Sequence, residues 1–118
     1  MFERKKVLIY EVNNIHKKIL KKQSNDEYEF FFHNNPDTIL GLDFSEYLSV
    51  LVFISTSRDM LNTIYILTKT KRYVLCSSCK EINDVLRKID SIHYLDIELK
   101  RKESIQAILE KIKEMEVL

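Results

Sequence analysis

The sequence has few residues that bend a chain. Its 118 residues include one glycine, Gly41, and one proline, Pro36. Glycine supplies positive φ angles and proline fixes turns, so their scarcity predicts regular elements joined by short connections. No stretch approaches the ~20 consecutive apolar residues of a membrane span, and the apolar run near the start is too short for a signal peptide. We therefore expect a cytoplasmic protein that does not bind a membrane.

A strong charge of either sign is also absent. The chain has 19 basic and 18 acidic residues, for a net charge of +1, which gives no global field to attract nucleic acid. Some basic residues cluster before the first and fourth predicted strands and on the first helix. Favourable interaction with the helix dipole, together with solvation, explains these residues better than binding to an acidic partner does. They are Lys5, Lys6, Lys17, Lys18, Lys21, Lys22, Lys71 and Arg72. The length and the apolar content of 45% suit one domain, 1–118.

Five apolar or aromatic segments predict strands, and a helix-like pattern follows each one. The strand segments are KKVLIYEV, EYEFFFHN, YLSVLVFIS, RYVLCSS and IHYLDIEL. The inward helix positions predicted are Ile15, Ile19, Leu20; Ile39, Leu40, Phe44; Met60, Leu61, Ile64, Leu67; Ile82, Val85, Leu86; and Ile105, Ile108, Leu109, Ile112, Met115. This alternation predicts an α/β fold, with one doubly wound, five-stranded parallel sheet in the flavodoxin-like order 2-1-3-4-5 and helices on both faces.

Capping residues stand before four of the predicted helices. They are Asn13 or Asn14 for the first helix, Asn35 followed by Pro36 for the second, Thr56 with Asp59 for the third, and Ser78 with Glu81 for the fourth. Each of these helices would start just after a strand ends. The carboxyl ends of the strands, where such folds gather their functional groups, therefore lie next to the capping residues.

The layout resembles a response-regulator receiver domain over nearly the whole chain. KKVLIYEVNNIHKKIL is similar to that family's first strand and helix, YLSVLVFIS to its third strand, VLCSS to its fourth, and YLDIELKRKESIQAILEKI to its fifth strand and last helix. The resemblance implies that helices one and five cover one face of the sheet and helices two to four the other.

The resemblance also implies a phosphorylation site whose key residues have been replaced. The family's two metal-binding acids fall at Glu11 and Val12, its phosphorylated Asp at Ile54, its phosphoryl-contacting Ser or Thr at Ser77, and its invariant Lys at Ile97. No acid occurs anywhere from Tyr47 to Arg58. Phosphoryl capture needs a carboxylate nucleophile and cations on the phosphoryl oxygens, which isoleucine cannot supply. We therefore expect a degenerate receiver that is not an enzyme and holds no metal or cofactor.

A protein-contact surface is also implied by the resemblance. The family uses the face made by its fourth helix, fifth strand and fifth helix for dimerisation and output, and its switch aromatic falls at Tyr94. On this chain the face would present Lys80, Asn83, Arg87, Asp96 and Arg101. The expected partner is another protein or a second copy of the chain.

The pair Cys76 and Cys79 leaves an alternative open. A CxxC at a strand-to-helix junction is found in dithiol redox proteins, and a helix start would lower the pKa of Cys79. A small redox or phosphocarrier protein of related α/β fold is therefore the second hypothesis, and a structural domain of a longer signalling protein is the third. Two cysteines without an export signal favour reduced, idle thiols, and His16, His33 and His93 lack ligand spacing.

Overall fold

The computed structural model describes residues 4–13, 15–23, 27–56, 59–89, 92–97 and 101–116, with the backbone alone described at residues 60, 61, 101 and 102. Of the sequence predictions, the cap at Asn14 and the side chains of Met60, Leu61 and Arg101 fall outside the described part. Within it, no helix is both long enough and apolar enough to cross a bilayer.

Five parallel strands form the sheet in the order β2-β1-β3-β4-β5, which confirms the predicted fold class and strand order. The strands are β1 (Lys5–Tyr10), β2 (Tyr28–His33), β3 (Ser49–Phe53), β4 (Tyr73–Ser77) and β5 (Tyr94–Asp96). The central strands are apolar because helices cover both of their faces. All five residues of β3 are buried.

The helices between the strands differ greatly in length. They are α1 (Lys17–Lys21), α2 (Pro36–Ile39), α3 (Asp59–Lys69), α4 (Lys80–Arg87) and α5 (Arg101–Met115), with a 3-10 turn at Phe44–Glu46 after α2. The predicted cap of α2 is confirmed, since the Asn35 side chain accepts a hydrogen bond from the Asp37 N–H and Pro36 opens the helix.

The sheet divides the core in two, and the alternation of side chains along β1 sets the division. On one face, Val7 and Ile9 pack with Leu20 of α1 and with Ile108 and Ile112 of α5. On the other face, Leu8 and Tyr10 pack with residues of α2, α3 and α4. The helices are therefore distributed as predicted, with α1 and α5 on one face and α2, α3 and α4 on the other.

Four predicted inward positions are wrong. Leu40, Ile64 and Val85 are 54%, 53% and 57% exposed, and Ile15 is exposed just before α1 begins. Leu40 follows the last residue of α2. Ile64 lies about 200° around α3 from the buried Ile66, at 100° per residue, and therefore faces away from the sheet.

A polar cluster joins the start of the sheet to the end of α5. The Lys5 ammonium and the Tyr28 hydroxyl both donate to Oε1 of Glu116, at 2.6 and 2.7 Å. These bonds lower the pKa of Glu116, with Lys5 the larger cause. Burial, followed by the hydrogen bond to Glu116, raises the pKa of Tyr28 well above its usual range. The cluster therefore fixes the last helix against the first two strands.

Candidate functional site

The carboxyl ends of the strands bring three of the five receiver-site positions together. Glu11, Ile54 and Ile97 line one cleft of about 40 Å³, a space that holds only a few water molecules. Ile54 is buried in the core beside β3, and Ile97 is buried just after β5. Val12 and Ser77 are not among the lining residues; Val12 is exposed and Ser77 is buried. The cleft is thus narrow and mostly apolar where a phosphorylated side chain would stand.

The carboxylate of Glu11 is fully engaged in starting α1. Its Oε1 accepts a hydrogen bond from the His16 backbone N–H at 2.8 Å, and its Oε2 lies 2.6 Å from His16 Nδ1. An ionised carboxylate only accepts, so Nδ1 carries the proton in this bond. The His16 ring also stacks on Phe53 at 4.6 Å. Glu11 therefore caps the first helix, which corrects the prediction that Asn13 does so.

The loop after β3 is organised by an acid that the sequence pattern identified only as a capping residue. One oxygen of Asp59 accepts from the Ser55 N–H at 2.9 Å, the Thr56 N–H at 3.1 Å and the Ser55 hydroxyl at 3.2 Å. The Asn13 amide donates to the same hydroxyl at 3.0 Å. Asp59 is buried and faces its own loop. The prediction that Thr56 and Asp59 form a cap is supported by this bond from the Thr56 N–H.

Ser77 stabilises the turn into α4. Its hydroxyl oxygen accepts the Cys79 N–H at 3.0 Å, and its carbonyl accepts the Asn83 side-chain amide at 3.0 Å. Cys79 is the N-cap residue, so the predicted cap at Ser78 is off by one position. The prediction that Asn83 lies on the surface is wrong, because this residue is 1% exposed and turns its amide toward the end of β4. The amide adds a second hydrogen bond to a carbonyl that already accepts the Ile97 N–H at 2.9 Å.

The two cysteines occupy different environments. Cys76 is wholly buried in β4, and burial, with a further contribution from the negative charge of Glu11, raises the pKa of its thiol far above its usual range. Cys79 is half-buried, and its Sγ lies 3.4 Å from Oε2 of Glu81. Both are free thiols. A buried neutral thiol is a poor nucleophile and a poor metal ligand, since both roles require the thiolate.

Of the residues predicted for the contact surface, Lys80, Arg87, Tyr94 and Asp96 are exposed or partly exposed. Lys80 and Arg87 lie on the same flank of α4, and Arg87 contacts Asp84 at 3.4 Å and hydrogen-bonds Tyr94 of β5. This hydrogen bond to Tyr94 is the main reason that the pKa of Arg87 is raised. Tyr94 and Asp96 are both partly exposed. The flank that carries Lys80 and Arg87 therefore faces β5.

Sequence reasoning missed two exposed apolar residues on and just beyond α4. Val85, on the flank opposite Lys80 and Arg87, is 57% exposed, and Ile89, two residues after the helix ends, is 45% exposed. Their spacing from the buried Leu86 resembles that of core residues, so the pattern alone does not distinguish them. Only the position of α4 relative to the sheet shows that this flank is uncovered by the described residues.

The charged groups elsewhere give no metal centre. The described residues contain no cluster of three or more His, Cys, Asp or Glu side chains that could hold a metal ion. Lys5 and Lys6 begin β1, and Lys71 and Arg72 stand just before β4, so these four lie at the edge opposite the cleft, as predicted. They line shallow open grooves that also contain Asp43 and Glu46.

Comparison with models of known protein families and with curated proteins gives no match. These comparisons therefore do not test the predicted resemblance to receiver domains.

Proposed function

We propose that this chain is a degenerate receiver domain, a cytoplasmic signalling or regulatory module that acts by protein contacts and is not phosphorylated on an aspartate. The observation that carries the proposal is the apolar cleft at the carboxyl edge of a flavodoxin-like sheet. Ile54 and Ile97 line it at the two positions where a receiver places its phosphorylated acid and its lysine.

Elementary chemistry explains why this edge is inert toward phosphoryl transfer. The reaction needs a carboxylate nucleophile, and a divalent cation held by further carboxylates. Glu11 is the one acid among the described residues lining the cleft, and both of its oxygens bond to His16. Ser77 uses its hydroxyl oxygen to accept the Cys79 N–H. Both groups are therefore occupied in hydrogen bonds that hold loops in place.

The phosphorylation test uses acetyl phosphate and Mg²⁺, followed by intact-mass measurement. We expect no base-labile phosphoryl adduct and no stabilisation by millimolar Mg²⁺, because a cation that bound only the native state would raise its stability. A functional receiver serves as the positive control. The Glu11→Gln variant is the matched control for adventitious metal binding. An adduct on the wild-type chain, or Mg²⁺ stabilisation lost in Glu11→Gln, would overturn the proposal.

The partner surface is the β5-facing flank of α4 together with β5 and α5. Arg87, Tyr94 and Asp96 form its described centre. Arginine and tyrosine are the residue types that dominate binding energy at protein interfaces. A partner captured with the full-length gene product should bind at least tenfold more weakly to Tyr94→Ala and to Arg87→Glu. Lys71→Glu, the same charge reversal at the opposite edge, should bind normally. Equal binding by all variants would exclude this surface.

The dithiol alternative makes a different prediction about the two thiols. A redox enzyme needs an accessible low-pKa thiolate, and Cys76 is wholly buried with a raised pKa. In the native protein we expect iodoacetamide to modify Cys79 at the rate of an ordinary thiol, and Cys76 only as fast as the chain unfolds. Peptide mapping over a pH series measures both rates. Rapid reaction of either cysteine at pH 6, together with disulfide-reductase activity, would favour the redox protein.

A further inference from the structure

The two edges of the sheet differ in length. The edge strand β5 has three residues, whereas β2 has six and runs for about 20 Å. Short edge strands are one way in which proteins avoid pairing with other chains, and β5 fits that description. A long edge strand exposes a row of backbone donors and acceptors that can pair with a further strand. The edge at β2 is therefore the one that can accept another strand.

The hydrogen bonds to β1 show which groups of β2 point outward. The Lys5 N–H donates to the Glu27 carbonyl, and the Glu11 N–H donates to the His33 carbonyl, at 2.7 and 3.0 Å. In a parallel ladder every second residue bonds the same neighbour, so Glu29 and Phe31 also bond β1. Phe30 and Phe32 direct their N–H and C=O groups away from β1. Within the described ranges, no hydrogen bond occupies that side of Phe30 or Phe32.

The side chains of β2 do little to prevent pairing. The strand contains neither proline nor lysine, the two residues that most often protect an edge. Three consecutive phenylalanines, Phe30 to Phe32, give it a high strand propensity. The nearby cations of Lys6 and Lys17 lie over the ring faces of Phe31 and Phe32, at 5.8 and 5.9 Å from the ring centres.

We infer that β2 pairs in antiparallel fashion with β2 of a second copy of this chain, about a twofold axis at Phe31. In this register the outward groups of Phe30 bond those of Phe32 in the second copy, and the reverse, to give four backbone hydrogen bonds. Phe31 meets its own symmetry mate. Glu29 stands opposite His33 of the second copy, so an acid faces a base at both ends of the pairing.

The acidic and basic residues of β2 favour this register over the one in which the twofold axis passes through Phe30. An axis at Phe30 would place Glu29 opposite Phe31 of the second copy, so that a carboxylate faces an aromatic ring. The axis at Phe31 pairs ring with ring and acid with base. A contact about a twofold axis is closed, so the expected product is a dimer rather than a fibre. The dimer leaves the β5 edge, and with it the proposed signalling surface, unoccupied.

Amide hydrogen exchange followed by NMR at low and high protein concentration tests the pairing directly. The amides of Phe30 and Phe32 should exchange at least tenfold more slowly once the dimer forms. The amide of Phe31 bonds β1 in either state and is the internal control, with protection that should not depend on concentration. A chain that stays monomeric by sedimentation up to millimolar concentration, or a dimer in which Phe30 and Phe32 exchange unchanged, would overturn the inference.

Charge exchange tests the register. Glu29→Lys should weaken the dimer about tenfold, because two symmetry-related pairs each lose a favourable contact. The double variant Glu29→Lys with His33→Glu again places an acid opposite a base and should recover the dimer, although it does not recover the ion pair of Glu29 with Arg4. Failure of the double variant to recover the dimer, with the monomer still folded by circular dichroism, would exclude the register. Arg87→Glu should dimerise normally, which separates this interface from the signalling surface.

Discussion

Acidic side chains at the two ends of the sheet differ in how far along the chain their hydrogen-bond partners lie. At the carboxyl edge, Glu11 bonds a residue five positions away and Asp59 bonds residues three and four positions away. At the amino end, Glu116 bonds Lys5 and Tyr28 across 111 and 88 positions. The first set shapes individual loops, and the second joins distant parts of the chain.

This difference separates local from global roles for buried acids. An acid at the carboxyl edge of an α/β sheet is often read as catalytic because ligands bind there. Glu11 and Asp59 show that the same position serves to satisfy the backbone N–H groups of a loop or a first helical turn. Both acids are 7% exposed, and this burial does not by itself say which role an acid has. Their hydrogen bonds to nearby backbone N–H groups identify the structural role.

The largest expected effect comes from placing a charge in the apolar cleft. Ile54→Asp should lower the free energy of unfolding by about 4 kcal/mol, because an unpaired carboxylate would be buried where Ile54 is 2% exposed. Ile54→Val, which only shortens the side chain, should cost about 1 kcal/mol. Urea denaturation at pH 7 measures both.

The Ile97→Lys substitution sharpens this test. Combined with Ile54→Asp, it supplies a cation on the other wall of the same cleft, so the double variant should be at least ~1 kcal/mol more stable than the sum of the single changes predicts. Additive losses would mean that the two side chains do not meet.

A smaller effect is expected at Glu11. Glu11→Ala removes the acceptor for the His16 N–H and the partner of its ring, and should cost about 3 kcal/mol. Glu11→Gln keeps an amide oxygen for the backbone bond and should cost about 1 kcal/mol. Thermal and urea unfolding give the comparison. A loss below ~1 kcal/mol for Glu11→Ala would show that the cap is dispensable.

The smallest expected effect is a pH dependence of the folding stability that arises from Glu116 at the amino end of the sheet. Because the pKa of Glu116 is lowered in the fold, its contribution is present above its ordinary value of 4.5 and is lost as the pH falls through the folded-state value. Glu116→Gln should therefore be about 1 kcal/mol less stable than wild type at pH 7 and equal to it at low pH.

Glu114→Gln is the matched control for this pH dependence. Glu114 lies on the same helix and is mostly exposed, with Lys111 at 3.3 Å. Its substitution should change stability little at any pH, because exposed ion pairs contribute little. A similar pH dependence in both variants would mean that the net charge of the helix, rather than the cluster, sets it.

Sequence reasoning succeeds for this chain where one physical signal dominates. The apolar strands alternate with helical segments, which predicts a doubly wound parallel sheet, and the stripe from Ile105 to Met115 lies against the sheet as predicted. The apolar character of the cleft was also predictable, since it follows from the two isoleucines at strand ends. These features depend on burial, which residue type encodes directly.

The sequence-based predictions are wrong where two sequence patterns compete for the same residues. On α4, an apolar stripe wider than the covered face leaves Val85 outside, while Asn83 turns inward and donates its amide to the Ser77 carbonyl. The cap of α1 comes from Glu11, a residue of the preceding loop, rather than from Asn13. Such choices depend on where neighbouring groups lie in space, which the linear pattern does not encode.

The late position of α5 in the chain has a consequence for synthesis. Val7, Ile9, Leu51 and Val74 lie on the sheet face with which residues of α5 pack. A ribosome completes all five strands before it makes residues 101–116, so part of this apolar face must wait, on the order of a second or more, for its cover. During that interval the nascent chain presents the kind of surface that chaperones bind. The Lys5 to Glu116 contact can then form only in the last step of folding.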